Sequence, residues 1–540
     1  MEERRRNVAY FTPEIAIHQD LHTYVGGLGV VAGGMAYSAH RLNFPLVIVS
    51  ILWRQGYYEQ ETDEYGMKVS FNDYFYEDLL EDTGVTVCVR VHTNPAVAVK
   101  VWRLPPGRFG ACPVYFLDTD TEGNDELARS ITRNLYHPDE GRRLATEIVL
   151  GIGGVRALRA LGFRPESWHL NEGHSVLAGI ELLREKMAEE GTGFDEGLRA
   201  VKDQVVFTTH TPELAGNEEH HVDEMMRFGC FQGLSRKEAV FLGGGGDIFN
   251  MTACGLKISR LTNAVSRLHS ETANRMWSGV EGRAPIIEVL NGVDREFWQE
   301  KEFKEAQTPQ ALREAKRKYK RRMLEYAEIH SGKLFEEDIF TIVWARRFAE
   351  YKRADLFFND EGEWIEALLW SKEIQVIYAG KPHYQDQDMI DVWGKLRRKS
   401  FHLPGFAILP GYELGLSKIL KAGADLWVHT HRRPQGACET SWMSALLNGA
   451  RVCSTKDGGP LEGPKEVFLY GVDHAFPDRA EQDWLDFCSL KETIEMAADK
   501  FYHAPDEWYR EALEAKWFAE KFLTSDRMLR DYVEKMYRLS

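Results

Sequence analysis

The sequence has few cysteines, no closely spaced cysteine pair and no long apolar run. Its 7 cysteines are scattered through 540 residues, a pattern typical of neither a disulfide framework nor a zinc site. The longest apolar stretch covers only residues 44–53, whereas a membrane helix needs about 20 residues. The charged N-terminus carries Glu14 where a signal peptide would need an apolar core. We therefore predict a reduced, cytoplasmic protein with no membrane partner.

Positive charge is also in short supply, with 67 Lys and Arg residues against 83 Asp and Glu and a net charge of −16. A net negative field repels polyphosphate backbones, so we predict no nucleic-acid partner. The one dense basic run, residues 316–322 (KRKYKRR), is interpreted as the solvated face of a helix. Residues 218–221 (EEHH) are all of types that bind metal ions. Adjacent side chains point in different directions, however, so we predict no metal site.

What the chain does have is the composition of a folded protein, with 44% hydrophobic residues and a length that suits two or three domains. Continuous apolar segments alternate with helical patterns, which favours parallel sheets covered on both faces. The predicted strands form two groups: 8–11, 45–53 and 205–210, then 340–347, 374–380, 406–411 and 425–430. We predict an α/β fold of two doubly wound domains that meet near residue 290 and face each other across a ligand-binding cleft.

Two segments at strand ends suit an anion. Residues 25–34 (VGGLGVVAGG) follow the first strand, and glycines there let backbone N–H groups approach a phosphate or a sugar. A tight structural turn explains them equally well. Four cations follow the strand at 340–347, namely Arg346, Arg347, Lys352 and Arg353, and arginine forks with a lysine suit a phosphate. Pairing with Glu350 or Asp355 explains these cations equally well.

Two more segments carry polar residues at strand or helix ends. In WHLNEGH, residues 168–174, a strand runs into Asn171 and His174, although a lone histidine in such a place is more often a core residue. In residues 432–459, Thr440 and Ser441 precede an apolar helix and would serve equally well as its cap.

Together these segments resemble the α-glucan (glycogen and maltodextrin) phosphorylase family, most closely its shorter bacterial and archaeal branch. The matching stretches occur in the family's order: GGLG at 26–29, LNEGHS at 170–175, FTTHTPELAGN at 207–217, FNMT at 249–252, NAVSRLH at 263–269, LNGV at 290–293, RRFAEYKR at 346–353, YAGKPH at 378–383, and RRP, TSWM and LLNGA between 432 and 450. The resemblance implies a GT-B glycosyltransferase that acts on an α-linked sugar with retention of configuration.

The resemblance also implies roles for individual residues. The backbone at Gly27 and Gly29 would face the phosphate and the sugar, His174 and Asn291 would contact the transferred sugar, and Arg347 with Lys352 would hold the phosphate. Asn171, Thr440 and Ser441 are further substrate-binding candidates. Residues 1–290, joined by a C-terminal helix at 515–540, would form the acceptor domain, and residues 291–514 the donor domain.

The sequence departs from the family at the cofactor lysine. The family attaches pyridoxal phosphate within a pattern like EASGTxxMKxxxNG, where this chain has GACETSWMSALLNG. Ser444 therefore stands at the lysine position, and a hydroxyl cannot form a Schiff base. Gly436 replaces a sugar-binding glutamate, Glu439 replaces a glycine, and Trp442 is expected to fill part of the vacated cofactor pocket. Lys456 has no counterpart as a cofactor lysine.

Three functional hypotheses follow. The first is a retaining hexosyltransferase that uses a nucleotide-sugar donor and a small sugar or oligosaccharide acceptor. The second is a phosphorylase that releases glucose 1-phosphate without a covalent cofactor, and the third is an inactive glycan- or partner-binding homologue. In the first, Glu439 joins Arg347, Lys352 and His174 as a catalytic candidate; the alternative is that Glu439 turns outward and pairs with Arg432 or Arg433. A homodimer is the default expectation for this class.

Overall fold

The protein is described by a computed structural model that covers residues 8–62, 66–212 and 216–539. Residues 1–7 of the charged N-terminus and residues 213–215 of the FTTHTPELAGN stretch lie outside these ranges. The strands in chain order are β1 Val8–Phe11, β2 Leu46–Ile51, β3 Glu59–Thr62, β4 Met67–Ser70, β5 Glu81–Val91, β6 Asn94–Leu104, β7 Val114–Asp118, β8 Ser167–Asn171, β9 Val205–Thr208, β10 Glu219–His221, β11 Ile248–Asn250, β12 Leu261–Ala264, β13 Ile286–Glu288, β14 Phe340–Ala345, β15 Ile374–Ala379, β16 Phe406–Leu409, β17 Leu426–His429, β18 Arg451–Thr455 and β19 Phe468–Tyr470.

The helices in chain order are α1 Gly27–Arg41, α2 Glu126–Arg129, α3 Glu140–Ile148, α4 Gly154–Ala160, α5 Leu177–Glu190, α6 Phe194–Gln204, α7 Val222–Phe228, α8 Arg236–Leu242, α9 Met251–Ile258, α10 Arg267–Met276, α11 Arg295–Trp298, α12 Lys301–Glu305, α13 Pro309–Ser331, α14 Glu363–Trp370, α15 Gln387–His402, α16 Leu414–Gly423, α17 Ser441–Leu447, α18 Arg479–His503, α19 Pro505–Phe522 and α20 Ser525–Lys535. Within the described ranges, none of these helices combines the length and apolar character of a membrane span.

The chain divides into two compact units. The first contains residues 1–57, 71–290 and 528–540, and the second contains residues 58–70 and 291–527. Each unit has its own sheet and its own buried apolar core. The predicted α/β class with two parallel-sheet domains, as GT-B proteins have, is confirmed.

The first unit is built on a sheet of strand order β13-β12-β9-β8-β1-β2-β7-β6-β5. Strand β1 lies in parallel between β2 and β8, with Val8 opposite both Leu46 and Ser167. Every residue of β1, β2, β8 and β9 is buried, as expected of strands covered on both faces. Because β1, β8 and β9 run parallel side by side, the segments that follow their C-terminal ends lie together at one edge of the sheet.

The second unit has a parallel sheet of order β16-β15-β14-β17-β18-β19. The strand order reverses between β14 and β17, which is the position where doubly wound sheets bind ligands at their C-terminal edge. The predicted cations follow β14, and the GACETSWMS segment follows β17. The topology therefore brings these two segments together at that edge.

The predicted strands are confirmed, for example β14 at Phe340–Ala345, and residues 316–322 do lie on a helix, α13 at Pro309–Ser331. The interpretation of residues 316–322 as a solvated face is wrong for three of its members, Lys316, Tyr319 and Lys320, which are buried. Lys316 is 2% and Lys320 is 4% exposed. Lys316 donates to the carbonyl oxygens of Ala422 and Ala424, and Lys320 pairs with buried Asp425 at 2.6 Å. These residues form a buried face of α13 because they lie one helical turn apart.

Candidate active site

Arg346 begins the candidate site of the second unit, directly after β14. Its side chain is only 4% exposed, and its Nη1 lies 2.6 Å from Nε2 of His431. Its Nε and Nη2 are buried and have no hydrogen-bond partner among the described residues. Buried donors without partners are costly, and an arginine fork matches the oxygens of a phosphate. Arg346 therefore presents a buried donor pair suited to an anion.

Glu439 lies in the loop between β17 and α17 and turns toward these cations. Its Oε1 is 2.7 Å from His431 Nε2, and its Oε2 is 3.7 Å from Arg346 Nη1 and 3.8 Å from Lys352 Nζ. Burial raises the pKa of Glu439, but the hydrogen bond from His431 and the positive charges of Lys352 and Arg346 more than offset this and hold the pKa well below its usual range. The carboxylate is therefore ionised and accepts hydrogen bonds instead of acting as a proton donor.

The neighbours of Glu439 differ in charge. Burial and the nearby arginines lower the pKa of Lys352 to about 8, although Glu439 raises it. Burial lowers the pKa of His431 to about 3, so its imidazole is neutral and serves to orient Glu439. Arg347 is exposed and lies within electrostatic reach of Lys352.

The other arginines near this loop are already paired. Arg353 lies 2.8 Å from both Asp483 and Asp486, so the expectation that it joins a phosphate pocket is wrong. Arg432 pairs with Glu350 and Asp483, and Arg433 donates to the carbonyl oxygen of Lys456. The alternative in which Glu439 turns outward to Arg432 or Arg433 is therefore excluded.

Three predicted substrate-binding residues of this unit have different surroundings. Asn291 is 2% exposed, and its Oδ1 is buried without a hydrogen-bond partner in the described part of the chain. Ser441 Oγ lies 2.9 Å from His429 Nε2, so its hydroxyl already has a protein partner. Thr440 is buried and precedes α17 without a side-chain capping bond. Asn291 and Thr440 are thus the more available of the three.

In the first unit, the glycine-rich segment is organised by Glu14, which follows β1. The Oε2 of Glu14 accepts hydrogen bonds from the backbone N–H groups of Val25 and Gly26, at 2.6 and 3.1 Å. A Cβ at Gly29 would lie 2.8 Å from that same oxygen, so the close approach of Glu14 requires glycine at this position. Gly27 begins α1 and is exposed.

Asn171 and Glu172 hold the segment that follows β9. Asn171 is buried, its Oδ1 accepts from His210 Nε2 at 2.8 Å, and its Nδ2 donates to Thr12. Glu172 accepts from the backbone N–H of His210 at 2.5 Å. Its φ of 68° and ψ of 165° are a conformation nearly restricted to glycine, and such strain accumulates at functional sites. Asn171 therefore positions His210, a residue that the sequence analysis did not assign.

His174 lies on the same edge of the sheet, in the turn after Glu172. Its Nδ1 is buried without a hydrogen-bond partner among the described residues, and its ring meets that of Tyr136 edge to face at 5.8 Å. It lines a cavity of about 20 Å³ together with Tyr136, Arg143 and Glu147. A buried imidazole nitrogen of this kind suits a ligand contact, and the contact between His174 and the sugar stays a prediction.

Comparisons with known proteins agree with this architecture. No protein-family model matches the chain. It is 38% identical to an uncharacterized protein of Methanocaldococcus jannaschii, over 98% of this chain and 99% of that protein. It is 32% identical to the maltodextrin phosphorylase of Thermococcus litoralis and 30% identical to the glycogen phosphorylase of Mycobacterium bovis, in each case over 98% of this chain and 70% of the relative. The chain belongs to the α-glucan phosphorylase family. It is a phosphorylase-like glycosyltransferase.

The residues at the position where the resemblance implies a covalently attached pyridoxal phosphate do not suit that cofactor. Ser444 is 1% exposed, and its hydroxyl donates to the carbonyl oxygen of Ser441 at 3.0 Å within the same helix. Trp442 is fully buried, and its Nε1 donates to the carbonyl oxygen of Cys438. The lysine position therefore offers neither an amine nor a side chain free to react.

Proposed function

We propose that this phosphorylase-like enzyme is a cytoplasmic, retaining hexosyltransferase that transfers a glucosyl group from a nucleotide sugar to a small sugar or oligosaccharide. The observation that carries the proposal is the buried Arg346, two of whose nitrogens have no hydrogen-bond partner within the described ranges, beside Lys352 at the C-terminal edge of the second sheet. These donors would suit an anion where a covalent pyridoxal phosphate has no anchor.

The local charge supports a diphosphate. Arg346, Arg347 and Lys352 are three cations, Glu439 is one ionised carboxylate, and His431 is neutral. The positive groups outnumber the negative ones here, which suits the negative charges of a nucleotide-sugar diphosphate. The same cations stabilise the charge that develops on the leaving diphosphate oxygen, and fixed charges aimed at that atom are a large source of rate enhancement.

Glu439 supports the sugar side of the reaction. As an ionised carboxylate oriented by His431, it accepts hydrogen bonds from sugar hydroxyls and stabilises positive charge at the anomeric carbon. Asn291, with its unpartnered Oδ1, is the proposed second contact with the hexose. In the first unit, taken by itself, His174 and the backbone at Gly27 are proposed sugar-binding groups.

Phosphorolysis is the second candidate, because the relatives at 32% and 30% identity are named phosphorylases. An orthophosphate would occupy the same cations and release glucose 1-phosphate from an α-glucan. Both reactions would use the same cations. In hexosyl transfer they would bind the diphosphate of a nucleotide sugar, and in phosphorolysis they would bind orthophosphate.

Turnover and thermal-shift measurements with UDP-glucose, ADP-glucose, GDP-sugars and glucose 1-phosphate separate them. A nucleotide sugar that binds the folded protein raises its melting temperature and supports hexosyl transfer to an oligosaccharide. Arg346→Gln should weaken its binding about 100-fold, in the range for losing one partner of a buried charge pair. Arg479→Gln, a change to an exposed arginine, is the control and should have no effect. Activity with glucose 1-phosphate alone favours the second candidate, and binding of none of these compounds contradicts both.

A further inference from the structure

A second cluster of functional groups lies in the first unit, apart from the glycine-rich segment. Three residues, Glu147 near the end of α3, Glu218 just before β10 and His220 within β10, each place one ligand atom within 4.8 Å of the others. Side chains in a strand alternate between faces, so His220 is buried while Glu219 and His221 are exposed on the other side, and Glu218 just before the strand is half-buried. The three ligand atoms come together although Glu147 is far from Glu218 and His220 in the sequence.

The distances within the cluster are those of a metal site. His220 Nε2 lies 3.4 Å from Glu147 Oε2 and 3.4 Å from Glu218 Oε1. Zinc binds nitrogen and oxygen at about 2.0–2.1 Å, so two ligand atoms at the tetrahedral angle lie about 3.3–3.4 Å apart. The two distances from His220 Nε2 are therefore those expected between the ligand atoms of a tetrahedral zinc ion.

The buried carboxylate of Glu147 is the independent sign of a ligand. Glu147 is 1% exposed, yet neither of its oxygens accepts a hydrogen bond from the described residues. His220 is 2% exposed, and its Nε2 is likewise without a hydrogen bond. His220, 3.4 Å from Glu147 Oε2, compensates this buried carboxylate only when it carries a second proton, whereas a cation between the two groups would satisfy both.

The surrounding residues complete the pattern of a metal centre. The Nδ1 of His220 lies 3.1 Å from Oε1 of Glu140, the carboxylate–histidine contact that fixes the tautomer of metal-binding imidazoles. Arg143 Nε donates to Glu218 Oε1 at 2.7 Å, and ligating carboxylates commonly accept such bonds. Glu147 also lines the cavity of about 20 Å³ beside His174, which has room for about one water molecule as a fourth ligand.

We propose that Glu147, Glu218 and His220 bind one divalent cation of the zinc class, a site separate from the anion site of the second unit. The competing occupant is a proton on His220, whose pKa is lowered by burial and raised by the carboxylates, to about 9 overall. A single proton on Nε2 serves one carboxylate at a time, whereas a cation contacts both. The metal would fix β10 to α3 next to His174.

Titration of chelator-treated protein with ZnCl2 in a calorimeter tests the proposal, and CoCl2 provides the visible absorption of a tetrahedral cobalt site. We expect one ion per chain and at least 100-fold weaker binding in His220→Gln. The matched control is His221→Gln, on the exposed side of the same strand, which should bind as the wild type does.

A variant that preserves the fold guards against trivial loss of binding. Glu140 has a side chain that is 56% exposed, so Glu140→Gln should leave the protein folded and weaken zinc binding about 10- to 100-fold, the usual effect of losing a carboxylate behind a ligating histidine. Wild-type protein without saturable binding at one equivalent overturns the proposal. Equal binding by wild type, His220→Gln and Glu140→Gln overturns it too.

Discussion

Replacing Glu439 by glutamine removes a buried negative charge while it keeps the shape of the side chain. Its carboxylate is 15% exposed and lies 3.7 Å from Arg346 and 3.8 Å from Lys352. At an effective dielectric constant near 20, each of these contacts is worth about 4 kcal/mol of Coulomb energy. The desolvation of the carboxylate offsets part of that gain.

The net loss of stability depends on which positive charges remain without a counter-ion in the Glu439→Gln variant. Arg346 keeps its charge without a counter-ion, whereas Lys352, with a pKa of about 8, can release its proton. Removing one partner of a buried ion pair costs about 3–5 kcal/mol. Because Lys352 can release its proton, we expect the stability loss of Glu439→Gln to lie near the lower end of that range. If Glu439 also stabilises the transition state, kcat should fall about 10²- to 10³-fold, as for other fixed electrostatic groups.

Urea unfolding and steady-state kinetics measure both effects. We expect a lower unfolding midpoint with an unchanged slope, the signature of a pure stability change. The control is Glu350→Gln, because Glu350 is 54% exposed where it pairs with Arg432 and should lose at most about 1 kcal/mol. A Glu439→Gln protein with wild-type midpoint and wild-type turnover would refute the reasoning on both counts.

Three further predictions test the anion site, the cofactor position and the fold. Because burial and the nearby arginines lower the pKa of Lys352 to about 8, kcat/KM for the donor should fall as pH rises through about 8, where the ammonium loses its charge; a profile that stays flat to about pH 9.5 contradicts this. Ser444→Lys should not gain an imine absorbance with pyridoxal phosphate and should lose about 3 kcal/mol or more, because it places an ammonium at a position that is 1% exposed; a stoichiometric imine would show that the pocket still accepts the cofactor. Lys320→Met should lower the free energy of unfolding by about 3–5 kcal/mol, since Asp425 is left buried and unpaired, whereas Lys318→Met, at a position that is 61% exposed, should change it by at most about 0.5 kcal/mol.

The parts of the fold that the sequence predicts are those whose signal is local. Strands such as β1 and β14 are buried along their whole length, so an uninterrupted apolar run marks them. The face of α13 that carries Lys316 was not predictable from composition, because its partners are carbonyl oxygens at Ala422 and Ala424, about a hundred residues further along the chain.

The candidate site shows the same division. The position of the cationic segment was predictable, because its arginines and lysine directly follow a predicted strand, but the partner of Glu439 was not. Arg432 and Arg433 are close to Glu439 in sequence and could have paired with it. In the structure Arg432 pairs with Asp483 instead, and Arg433 donates to the carbonyl oxygen of Lys456. His210 did have a signal, since it stands in the FTTHTPELAGN stretch just after β9, the strand beside β8.

The backbone strain and the charge of Glu439 together indicate which part of the substrate it contacts, the sugar or the phosphate. Its φ of 61° lies in the region that favours glycine, and a non-glycine residue there costs about 1–3 kcal/mol. Its carboxylate also cancels one of the three positive charges around Lys352, which weakens any phosphate bound there. Neither property helps an anion, so we expect its benefit to appear in contact with the sugar. Glu439→Gly should then bind inorganic phosphate more tightly than the wild type and transfer hexose more slowly; weaker phosphate binding together with slower transfer would make Glu439 a structural counter-ion instead.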